Sequence, residues 1–349
     1  MPRKSPLTER QQCVLQAIVR LYIRTGRPIS SRLLARHLRH RLRVSAATLR
    51  TVMAELEEMG YLQQPHTSAG RIPTDRGYRA YIDSLVGFEP LGDEEQNLIA
   101  RELRAGDDYD SLLQGASRVL STLASAVGIT RSPAPQQLTV RRFEIMPISS
   151  THALVIVVFE PALVRTLLLE TPRSLSPSSA ERLNQFLNER FAGRHLSAVA
   201  DKSALLEGML LLEPAAADFL EQLWDHLPSL LQPLGRLYVS GTSRLLRYPE
   251  YASVERLQHI TFLLEESSFL LELLSRYEEQ LQQHALFIGI GRELRVAALQ
   301  EYALILHRYQ LGSCYGVVGI IGPKRMPYPK VIPAVYHVAR RLAELSAQA

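Results

Sequence analysis

A chain of 349 residues, 46% hydrophobic and 21% charged, is long enough for two or three domains with filled cores and too apolar for a disordered one. Its two cysteines, Cys13 and Cys314, lie far apart and match neither a disulfide framework nor a metal spacing, which fits a reducing cytoplasm. The net charge of +5 is unevenly placed: residues 1–85 carry 15 Lys and Arg against 6 Asp and Glu, and the remainder is mildly acidic, the pattern of a nucleic-acid-binding head on a near-neutral body.

Thr8-Glu9-Arg10-Gln11 has the spacing of a capping box and predicts a helix carrying Leu15, Ile18, Val19, Tyr22 and Ile23 inward, ended by Gly26 and Pro28. Ser30 or Ser31 caps a second helix with Leu33, Leu34 and Leu38 inward. After an Arg-rich turn, Ser45 caps a third. There Leu49, Val52, Met53, Leu56 and Met59 recur on one face. Gly60 stops it, Tyr61-Leu62 and Ile72 read as the arms of a small hairpin, and Thr74 with Asp75 opens a fourth helix carrying Tyr78, Tyr81, Ile82 and Leu85. Three helices and a hairpin predict a winged helix-turn-helix over residues 1–85, the second and third helices forming the helix-turn-helix.

The side of the third helix opposite its apolar face carries the chemistry. Small Ala46 and Ala47 let a helix sit deep in a groove, and Arg50 is long enough to reach a guanine edge or a phosphate, with Thr48 and Thr51 beside it. Ser45 marks the end that enters the groove. Arg41 and Arg43, with Arg39, are placed to clamp phosphates near the turn, and His66, Thr67, Ser68 and Arg71 to do so from the hairpin tip.

Residues 86–93, with Gly87, Pro90 and Gly92, read as a linker. Two helices follow, over 94–104 and 109–127, the second with Leu112, Leu113, Ala116, Val119, Leu120, Leu123 and Val127 on one side. Strands are predicted at 138–146, 153–159 and 164–170, the last two a hairpin across Glu160-Pro161, and then a helix at 176–191. The most apolar run, 153–169, is interrupted by Glu160, Pro161 and Arg165 and is not a membrane-spanning helix. Residues 193–248, rich in proline and apolar helical pieces, read as a segment inserted into an α+β domain, with Phe219 and Trp224 as candidates for an interface or a core. A long helix over 254–283, strands at 286–291, 302–309 and 316–321, and a terminal helix at 331–345 complete one sheet. Gly316, Gly319 and Gly322 lack the spacing of a phosphate loop.

Several stretches are similar to one family. Val44–Arg50 in VSAATLR, above all 64–79 in QPHTSAGRIPTDRGYR, and 319–326 in GIIGPKRM followed by 328–333 in YPKVIP closely resemble the HrcA family of heat-inducible transcription repressors. The resemblance implies an α+β multidomain fold: a winged-helix head over 1–85, a GAF-like domain over 94–192 and 249–349, and an inserted dimerising domain over 193–248. It implies a cytoplasmic homodimer that represses chaperone operons by binding the double-stranded CIRCE inverted repeat, is released on heat stress and has the GroEL chaperonin as a possible partner. The region 285–315 departs from the family's usual acidic and Thr-rich pattern, with Gly289-Ile290-Gly291-Arg292-Glu293 and Gly312-Ser313-Cys314-Tyr315 in its place.

No catalytic or metal-binding motif stands in the chain, and His284, His307 and His337 are scattered, so no enzyme, metal or cofactor is expected. The alternative class is a repressor that responds to a small molecule held in the GAF-like domain.

Overall fold

The computed structural model describes residues 7–40, 44–66, 69–85, 90–105, 108–134, 137–160, 163–196, 212–231, 235–249, 267–312 and 314–346. It is a mixed α+β structure of helices and antiparallel sheets.

Local signals set the first elements. Helix α1 (Glu9–Thr25) starts at the Thr8–Gln11 capping box and ends at Gly26 in the left-handed conformation. Helix α2 (Ser31–Leu38) takes Ser30 as its cap and buries Leu34 and Leu38. Leu33, expected inward, is 36% exposed, because it falls one position off that face. Helix α3 (Ala46–Glu58) buries Leu49, Val52, Met53 and Leu56, while Met59 stays half-buried at its end. Strands β1 (Leu62–Gln63) and β2 (Ile72–Pro73) pair as a hairpin. Helix α4 (Asp75–Asp83) follows from the Thr74 cap and buries Tyr78, Tyr81 and Ile82.

The chain between α4 and α5 (Asp93–Glu102) was expected as a linker. Of that segment 86–89 lie outside the described residues; Leu91 is buried, and its carbonyl accepts from Gln96 Nε2. Helix α6 (Tyr109–Ala124) turns at Ser125, which has φ 50°, so Val127 opens strand β3 (Val127–Arg131) instead of extending the helix. One apolar core runs from α1–α4 through α5 and α6 to the terminal helix α11 (Tyr328–Ser346), joining the first 85 residues to the body.

The strands form two larger sheets where the sequence reading expected one. Strands β4 (Thr139–Pro147), β5 (His152–Glu160) and β6 (Leu163–Glu170) make a three-stranded meander. Helices α7 (Pro177–Phe191) and α8 (Pro214–Leu231) cover one face of it. Strand β3 instead joins β7 (Leu237–Ser240), β8 (Leu286–Ile290), β9 (Tyr302–Leu311) and β10 (Cys314–Pro323) in the order β7-β3-β10-β9-β8. This corrects the expected limits. The meander and α7 were placed with the main domain, yet they pack around their own core; β7 was placed in the insertion at 193–248, yet it pairs with β3. The segment set into the main sheet runs from β3 to β7. Phe219 and Trp224 belong to its core, with the Trp224 ring 5.4 Å from that of Phe191.

The five-stranded sheet is covered on both faces. Ile305, Tyr309, Val318 and Ile320 point towards α6 and α11. Leu304, Leu306, Val317 and Ile321 meet Leu270, Leu274 and Leu281 of α9 (Ser267–Arg276) and α10 (Glu278–Gln283). A single helix over 254–283 was expected; residues 251–266 lie outside the described ones, and the described part breaks at Tyr277. That side chain stacks on Phe287 at 4.1 Å and donates to the Leu294 carbonyl. On β10 every residue is buried, and a side chain at Gly316 would run into the Tyr309 ring, so those glycines serve packing.

Candidate nucleic-acid interface

The Ser45 hydroxyl accepts from the Thr48 amide at 3.1 Å, satisfying one of the free donors of the first turn, and lies 3.0 Å from the Thr48 hydroxyl. Ser45 and Thr48 thus shape the helix start, and Ala46 is half-buried beside them. With the apolar face of α3 in the core, Ala47, Arg50 and Thr51 are left exposed on the other side. Among the described residues no ion pair or hydrogen bond engages the Arg50 guanidinium. Arg50 lines a groove of ≈ 440 Å³ between the start of α2, α3 and the hairpin, with Ser30, Gln64 and Gly70 on its other walls.

The hairpin is braced against this groove. Arg71 and Ile29 exchange both backbone hydrogen bonds at 2.9 Å, adding a third extended segment beside β1 and β2. A Cβ on Gly70 would sit 2.4 Å from the Ile29 backbone, so only glycine permits that approach. Gln64 Nε2 donates to the Ala69 carbonyl at 3.0 Å across the tip, and His66 is exposed there.

Of the residues assigned to DNA from the sequence, Arg41, Arg43, Thr67 and Ser68 lie outside the described residues. Arg50, Thr51 and His66 are exposed. Arg71 lines the same groove as Arg50 but is largely covered: its Nε lies 2.7 Å from Glu57 Oε2. This pairing, which joins α3 to the returning arm of the hairpin, has no short-range signal in the sequence.

Arg76 was also missed. Its Nη1 donates to the Met59 carbonyl at 2.8 Å and its guanidinium lies 4.4 Å from the centre of the Tyr61 ring. Thr74 Oγ1 donates to the Gly60 carbonyl at 2.7 Å. On the far side of α4, Asp75 and Arg79 reach the body, so the segment 74–79 ties hairpin, helix and body together. Burial disfavours the charge of Arg79, but the hydrogen-bonded carboxylate of Glu293 more than offsets it and raises the pKa. None of these contacts has a short-range sequence signal.

Comparison with known proteins points one way. The family model described as HrcA protein C terminal domain matches residues 110–332. The heat-inducible transcription repressor HrcA of Xanthomonas campestris is 35% identical over 343 residues, covering 97% of this chain and 96% of the relative. That of Gloeobacter violaceus is 37% identical over 344 residues, covering 97% of this chain and 94% of the relative. A crystal structure described only as a hypothetical protein matches with a TM-score of 0.64 at 25% identity, covering 98% of this chain and 99% of the other.

Proposed function

This chain belongs to the HrcA family of heat-inducible transcription repressors, and from that premise we propose that residues 1–85 are a winged helix-turn-helix head that reads one half of an inverted-repeat operator. Helix α3 enters the major groove and the β1–β2 hairpin is the wing. The observation that carries this reading is the open side of α3: Ala47, Arg50 and Thr51 are exposed, as is His66 at the hairpin tip, while the opposite side of the helix is packed in the core. Arg50 contacts a base or phosphate, Thr51 sits beside it, and His66 meets the backbone or minor groove.

The head works as one of a pair. The meander supports a homodimer, because one of its faces is covered by α7 and α8 and, among the described residues, nothing is packed on the other. On that other face Met146, Leu154 and Leu168 line up across the three strands, as do Val158 and Val164 one end over. Met146, Val164 and Leu168 are 44%, 50% and 58% exposed. Apolar rows of this kind mark an interface more often than a solvated surface. Two-fold pairing through the inserted segment sets two heads on two half-sites of a CIRCE-type repeat. The five-stranded sheet between helices is the GAF-like body that joins insert to head. Heat that loosens this pairing removes the gain from binding both half-sites at once, and the chaperone operon is released. The protein works in the cytoplasm with its operator; among the described residues no helix is long and apolar enough to cross a membrane.

Selection of random duplexes by the purified full chain tests all of this together. Enrichment of an inverted repeat without added ligand is the expected result. A single half-site would remove the dimer, and no enrichment would remove sequence reading. Enrichment only after cell extract is added would favour the ligand-responsive alternative.

A further inference from the structure

Two stretches far apart in the chain, 74–79 and 322–328, meet in space. Asp75 Oδ1 lies 3.0 Å from Lys324 Nζ, and Asp75 Oδ2 accepts from the Arg292 amide at 3.0 Å. Arg79 forms a fork on Glu293: Nε donates to Oε1 at 3.0 Å and Nη2 to Oε2 at 2.5 Å, while Nη2 also donates to the Ile288 carbonyl. Between these pairs the Tyr78 and Tyr328 rings pack at 6.3 Å, both buried. The Tyr328 hydroxyl donates to the Lys324 carbonyl, and burial pushes its pKa up. All four charged side chains are about a third exposed or less. The same helix, α4, holds the hairpin through Arg76 and Thr74.

A paired, partly buried carboxylate and guanidinium in forked geometry restricts angle as well as distance. Helix α4 is therefore a strut with the hairpin fixed to one side and the sheet of the body fixed to the other. We infer that Asp75, Arg79, Glu293 and Lys324 are positioning residues for operator recognition. They touch no DNA; they hold each head at one angle to the body, so that the two heads of a dimer meet half-sites at one spacing only. The inference rests on the DNA-reading dimer proposed above.

The test uses the full chain with Glu293→Gln and Asp75→Asn, each binding three duplexes: one half-site, two half-sites at the selected spacing, and two half-sites with the spacer changed by a few base pairs. The wild type favours the second duplex. Both variants keep the half-site affinity within about twofold but lose about tenfold or more on the paired site, since avidity fails when geometry is not held. Their preference for the selected spacer shrinks in step. Arg79→Glu behaves likewise, and Arg79→Glu combined with Glu293→Arg restores the spacing preference, which a merely destabilised fold would not do. Wild-type ratios among the three duplexes in every variant overturn the inference, as does loss of half-site binding in step with paired-site binding. A wild type with no preference for paired half-sites overturns the dimer reading itself and this inference with it.

Discussion

On the α3 side of the head, Arg50 and His66 stand exposed, and among the described residues no partner engages their side chains. On the α4 side, a few residues along the same chain, Arg76 lies on the Tyr61 ring and a backbone carbonyl, and Arg79 is forked on Glu293. Both sides are basic in sequence. The difference shows that the excess positive charge of the first 85 residues has two uses. Charge left in water is available for phosphates, and charge already paired holds elements together. Composition cannot separate the two, because the partners of the second kind come from other parts of the chain.

The largest effect expected from breaking the closed side is at Gly77. A Cβ there would lie 2.2 Å from the Tyr61 carbonyl oxygen, in a helix held tightly under the hairpin. Backbone atoms cannot yield as a flexible side chain does. Gly77→Ala should therefore cost about 3 kcal/mol of stability. Thermal unfolding followed by circular dichroism will show this as a fall in Tm. An unchanged Tm would mean that α4 is free to move away from the hairpin, and the contrast between a closed and an open side would fail.

The open side is tested by Arg50→Ala, which should fold normally because Arg50 is exposed and, among the described residues, no hydrogen bond or ion pair engages its guanidinium. Operator binding should weaken by roughly 1–3 kcal/mol if the guanidinium reads a base edge. Binding measured in parallel on operator and random duplexes separates the alternatives. An equal loss on both assigns Arg50 to a phosphate, and no loss on either removes α3 from the interface.

What was legible in the sequence follows the range of each interaction. The caps at Thr8, Ser45 and Thr74 act over three residues, and each helix start stands where its hydroxyl predicted it. Alternation along β5, where Ala153, Val155, Val157 and Phe159 are buried, was equally local. Val127 went to the wrong element because its apolar side chain fits a continuing helix as well as a buried strand, and only the turn at Ser125 decides. The split into two sheets was not legible, since β3 chooses its partners β7 and β10 from distant segments and skips the adjacent meander. Within the candidate site, the open residues of α3 could be read from periodicity. The Asp75–Lys324 and Arg79–Glu293 pairs could not; the family resemblance had singled out the stretches holding Asp75, Arg79 and Lys324, but Glu293 lies in the region that departs from the family pattern.

The smallest expected effect lies where the two sides meet, at Glu57 and Arg71. Their ion pair of 2.7 Å is partly screened by solvent, with side chains 31% and 20% exposed. Glu57→Gln should lower stability by less than about 1 kcal/mol. Its effect on DNA should have the opposite sign. Removing the carboxylate releases the Arg71 guanidinium, which lines the Arg50 groove. If Arg71 then reaches a phosphate, the slope of log affinity against log salt on random duplex should steepen by about 0.9, one counterion's worth. An unchanged slope, with the small stability loss still present, would place Arg71 wholly with the closed side as a brace of the hairpin, and leave Arg50 to carry the phosphate contact of the open one.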